Sequence, residues 1–125
     1  MDKRTEHDYL ISVSLELDNN PAIVEDQLDE EMIEFIRDET PSFLSDYESL
    51  YAGLWDRLLS PVEREFIQEG LDYIDKSKTI TDPDAAFDKA FGGASFVIDR
   101  IAVMAKRIKR AEEAIDSLND KLPWA

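Results

Sequence analysis

The stretch LISVSLEL, Leu10–Leu17, decides the fold class. Read as a strand it alternates, with Ile11, Val13, Leu15 and Leu17 on one side. Read as a helix it gathers Tyr9, Leu10, Val13 and Leu17 on one face and leaves Ile11 and Leu15 nearer the back. The alternation by itself favours a strand. A lone strand has no ladder, however, and no convincing second strand follows in the 125 residues. The stretch is therefore read as a helix over residues 5–18, opened by Thr5 with Asp8 as a weak cap.

Working outward, the punctuation is helical throughout. Asn20-Pro21, Thr40-Pro41, Ser60-Pro61 and Asp82-Pro83 each set a proline after a good cap residue, where its missing N–H costs nothing. Ser60 with Glu63 adds a capping box. Gly92-Gly93 predicts a break. Helices are expected over 21–38, 41–59, 61–76, 83–91 and 94–121, giving an all-α single-domain bundle of five or six helices. In 41–59 a wide apolar stripe runs through Phe43, Leu44, Tyr47, Leu50, Tyr51, Leu54, Trp55 and Leu58. In 94–121 the stripe runs through Val97, Ile98, Ile101, Met104, Ala105 and Ile108. Both read as core, with Leu54 and Trp55 buried.

Composition excludes several functions. No cysteine is present, so disulfides, thiolate zinc sites and cysteine nucleophiles are absent. The net charge is −15, which opposes direct contact with nucleic acid or an anionic membrane. No apolar run approaches a membrane span, and the N-terminus lacks a signal core. These features read as a soluble, cytoplasmic protein. The charge is also polarised: residues 1–50 hold fifteen acids and three bases, whereas residues 81–125 hold eight and seven. Solubility alone does not require that asymmetry.

The excess concentrates in EDQLDEEMIEFIRDE, Glu25–Glu39. On a continuous helix over 21–38, Val24, Leu28, Met32, Phe35 and Ile36 form the buried face. Asp26, Glu30, Glu34 and Asp38 then line the opposite face at i, i+4 spacing, with Glu31 beside them. Like charges at that spacing oppose a helix by roughly 0.2–0.5 kcal/mol per pair. Three readings of this row are open: a solvated face, a docking surface for a cationic protein, or a metal site.

Two short motifs carry the metal reading. EEMIE (Glu30, Glu31, Glu34) and EGLD (Glu69, Asp72) resemble the E-E-x-x-E and E-x-x-D motifs of the MazG-like nucleotide pyrophosphohydrolases. That resemblance implies an all-α enzyme whose carboxylates hold Mg²⁺ and clamp a nucleoside triphosphate for attack by water. The helical wheel points Glu30, Glu34, Glu69 and Asp72 away from the apolar faces, whereas that family's ligands point into the bundle. The docking reading is the leading functional one, beside a plain solvated face. A rigid row of carboxylates can imitate a strand of phosphates. In charge and size the chain looks like the DNA-mimicking inhibitors that phages and mobile elements direct against restriction or CRISPR nucleases. Such a protein needs no cofactor, and its partner is a protein with a basic, nucleic-acid-binding surface.

Other chemistry has less behind it. His7 is the single histidine and reads as an exposed terminal residue. The GGASF segment lacks the lysine of a phosphate-binding loop. The basic cluster Arg100, Lys106, Arg107, Lys109 and Arg110 reads either as solvated or as a counterpart to the acidic row, within the fold or across a homodimer.

Overall fold

The computed structural model describes residues 3–121, with side chains over residues 5–114. It contains α1 (Lys3–Asn19), a 3-10 turn (Pro21–Ile23), α2 (Val24–Gln27), α3 (Glu30–Leu50), α4 (Trp55–Leu58), α5 (Pro61–Ser77) and α6 (Pro83–Lys121), and no strand among the described residues. No helix in that range is long and apolar enough to cross a membrane. The architecture is an all-α bundle in which α1, α3, α4 and α5 all pack on α6.

Leu10–Leu17 is helical because its burial has helical period. Leu10, Val13, Ser14 and Leu17 are buried, while Ile11 and Leu15 are only partly covered. Ser14, on the buried face, donates through Oγ to the Leu10 carbonyl at 2.8 Å, so its hydroxyl is satisfied within the helix.

Four expected boundaries fall elsewhere. The helix expected over 21–38 is broken at Leu28, whose side chain is fully buried. Asp29 is extended and caps α3, its carboxylate accepting from the Met32 N–H at 2.9 Å. Asp29 thus satisfies an orphan donor at a new helix start, a role that outweighs a place in a helix interior. The Thr40-Pro41 boundary is absent, and α3 runs through Pro41. Proline removes one helix hydrogen bond, but Pro41 lies on the exposed side, where water can satisfy the carbonyl one turn earlier. Thr40 turns inward and donates through Oγ1 to Ile36 O at 2.5 Å. The helix expected over 41–59 stops at Leu50. Leu54 N–H donates to Tyr51 O across the Ala52-Gly53 turn, and the short α4 follows. Trp55 is accordingly buried, while Leu54 is 37% exposed.

The fourth correction concerns Gly92-Gly93, which breaks nothing: α6 is continuous from Pro83 to Lys121. These glycines serve packing. A Cβ on Gly93 would lie 2.4 Å from the Gly70 carbonyl oxygen, and one on Gly70 would lie 2.5 Å from that of Gly93. The pair lets α5 and α6 cross with their backbones in contact. The capping box at the start of α5 is formed, with Glu63 N–H donating to Ser60 Oγ and Ser60 N–H to Glu63 Oε1.

Candidate functional site

The break at Leu28 changes the geometry of the acidic row. Asp26 belongs to α2, and Glu30, Glu34 and Asp38 share α3, so the row is two segments rather than one line. Its electrostatics change too. Glu30 and Glu31 stand in the first turn of α3, where the helix dipole favours anions. Asp38 and Glu39 stand mid-helix instead of at a C-terminus. The N-terminus of α6 lies alongside: Glu30, Ile33 and Glu34 line one groove of about 290 Å³ with Lys78, Pro83 and Phe87. Asp84 occupies the first turn of α6. Two helix N-termini thus meet at this end of the molecule, and both carry carboxylates.

Part of the row is neutralised locally. Glu34 Oε1 accepts from Lys78 Nζ at 3.0 Å. Asp38 faces Arg37 at 3.1 Å, and Arg37 also donates through Nε to Asp75 at 2.8 Å. Glu25, Asp26, Glu30 and Glu31 are exposed and form no ion pair among the described residues.

The basic cluster of α6 does not reach these carboxylates. Arg107 donates to Glu63 Oε1 at 2.6 Å and to the Leu58 carbonyl at 3.1 Å, and Arg100 donates to Glu63 Oε2 at 3.5 Å. Lys106 pairs with Asp18. Arg100, Lys106 and Arg107 are therefore engaged with α1, α4 and the start of α5, not with α2 or α3. Burial pushes the Glu63 carboxyl up, but the hydrogen bonds from Arg107 and those shared with Ser60 outweigh it and hold the group below its usual value.

His7 is buried rather than exposed. Its Nε2 lies 2.7 Å from Asp46 Oδ2, and its Nδ1 lies 2.9 Å from Glu39 Oε1, the latter close but poorly aligned for a hydrogen bond. The ring stands edge-on to Phe43 at 5.5 Å and to Tyr47 at 6.2 Å. The signal for burial was present in the sequence: His7, Leu10, Ser14 and Leu17 share one face of α1 at i, i+3, i+7, i+10. The site joins α1 to α3.

The residues of the two acidic motifs are not gathered. Glu69 accepts from Tyr73 Oη at 2.9 Å and Asp72 from Gln68 Nε2 at 3.0 Å, both within α5. Among the described residues no group of three or more Asp, Glu or His side chains is placed to hold a metal ion. No protein family matches the chain, and no curated protein or solved structure shows significant similarity to it. The functional reading therefore rests on the chain's own geometry.

Proposed function

We propose that the acidic end built by α2 and the first half of α3 docks onto a cationic surface of another protein, of the kind that holds nucleic acid. The residues are Asp26, Glu30, Glu31, Glu34 and Asp38. The protein acts by occupying that surface and has no reaction of its own. One observation carries the reading: Asp26, Glu30 and Glu31 are exposed and free of ion pairs among the described residues, while Arg100, Arg107 and Lys106 are committed to Glu63 and Asp18. Carboxylates on a rigid helix offer fixed negative charge to a cationic surface. The small, acidic, all-helical chain resembles the DNA-mimicking inhibitors in the same respects.

The test pairs the parent chain with Glu30→Gln/Glu31→Gln, both immobilised and offered the same native-cell extract. The double change should cost the fold no more than about 1–2 kcal/mol, the lost dipole interactions. The parent should retain a partner that duplex DNA or moderate salt displaces. The variant should retain much less of it, chiefly through slower association. Equal retention by both chains, or a partner that DNA cannot displace, would sink the proposal.

A further inference from the structure

The groove of about 290 Å³ between the start of α3, the end of α5 and the start of α6 combines two kinds of surface. Its floor is apolar: Ile33 and Ile74 are buried there, and Ala86 and Phe87 are half-buried. Its rim is acidic: Glu30 and Glu34 are both exposed. Lys78 lines it as well, and its Nζ donates to Glu34 at 3.0 Å. One rim carboxylate is thus met by a cation on a long aliphatic stem from this chain. Glu30 has no such counterpart among the described residues.

We propose that this groove receives an arginine side chain of the cationic partner, its stem along Ala86 and Phe87 and its guanidinium on Glu30. The inference rests on the docking reading above and adds the side chain that docks. The chemistry of the groove selects that occupant. Two helix N-termini open here and would favour an anion, but Glu30, Glu31 and Asp84 already fill their first turns, so an added anion meets like charge. A neutral apolar side chain would cover the floor while taking water from Glu30 with nothing in return. A long cationic side chain suits both surfaces, because its methylenes lie on apolar groups while its charged head stays at the rim. Arginine suits them better than lysine: its planar head takes a carboxylate through two N–H bonds and packs flat on an aromatic ring. A volume at the lower limit of small-ligand pockets accommodates one side chain rather than a larger free molecule.

The probe is the blocked peptide acetyl-Gly-Arg-Gly-amide, titrated into the isotope-labelled full chain and followed through its amide NMR signals. The same peptide with norleucine or with glutamate at the centre serves as comparison. The arginine peptide should shift the signals of Glu30, Ile33, Ala86 and Phe87 in a saturable manner that salt weakens, and the other two should leave them in place. Ala86→Phe fills the groove without altering a charge and should weaken the arginine peptide about fivefold or more. Should that variant fail to fold, Glu30→Gln, at an exposed position, should weaken it as much. Equal shifts with the norleucine peptide, arginine shifts spread evenly over the acidic residues outside the groove, or a folded variant that binds as the parent does would each overturn the proposal. In the extract experiment above, a DNA-displaceable partner retained equally by the parent and by Ala86→Phe would overturn the arginine groove and leave the docking reading standing. Saturable binding of the arginine peptide in the groove, with no partner retained from the extract, would do the reverse.

Discussion

Glu63 closes the N-terminus of α5 and accepts two guanidinium groups from α6, so one carboxylate ties a helix start to its neighbour. Its folded pKa is depressed, burial opposing and the Arg107 and Ser60 hydrogen bonds prevailing. A depressed acid contributes stability above its unfolded pKa, about 4.3, and loses that contribution as pH falls through the lower folded value. Glu63→Gln keeps an oxygen for the Ser60 N–H but removes the charge facing Arg100 and Arg107. It should cost about 1.5–3 kcal/mol near neutral pH, the range for a hydrogen bond to a charged group. In urea denaturation at a series of pH values, the acid-side decline of the parent should be shallower in the variant. An identical decline would show that Glu63 is not a source of acid sensitivity.

Gly92 and Gly93 are adjacent in α6 and predict opposite outcomes. A Cβ on Gly92 meets nothing within 4 Å, so Gly92→Ala should raise stability by about 0.5–1 kcal/mol through helix propensity. A Cβ on Gly93 meets backbone oxygen of α5 as well as Tyr73 Cβ at 2.9 Å, and neither can yield without moving a helix. Gly93→Ala should cost about 1–3 kcal/mol or more, as overpacking does. Denaturant midpoints for the two variants check both signs. The pair also shows where the sequence was legible. The lack of a second strand, rather than the local pattern of Leu10–Leu17, identified α1 as a helix, and the Ser60–Glu63 box placed the start of α5 within the expected residues. Local rules misread Gly92-Gly93 and Thr40-Pro41 because their reasons are tertiary: a helix crossing in one case, a solvent-facing proline in the other. Asp29 was hidden among seven other acids of the same stretch, with nothing local to mark it as a cap. The acidic residues of the candidate site were visible; which of them are paired was not, because Lys78 meets Glu34 across 44 residues.

At the scale of the whole molecule, Arg100, Lys106 and Arg107 of α6 are engaged where they stabilise the bundle, and Asp26, Glu30 and Glu31 of α2 and early α3 are left facing solvent. The polarity of charge along the chain thus becomes a polarity in space, with paired bases of α6 facing α1, α4 and the start of α5, and an acidic end at α2 and the start of α3. The central position of α6 also sets an order of assembly. α5 and α6 are consecutive and joined by a short loop, so their crossing forms at small entropic cost. α1 reaches α6 only by closing a loop of 88 residues between Asp18 and Lys106. The amides of α1 should therefore exchange with deuterium through a partial opening that leaves α5 and the middle of α6 protected. Native-state exchange in low denaturant should show two free-energy levels, the α1 amides on the lower; a single common level would mean that the first helix and the hairpin unfold as one unit.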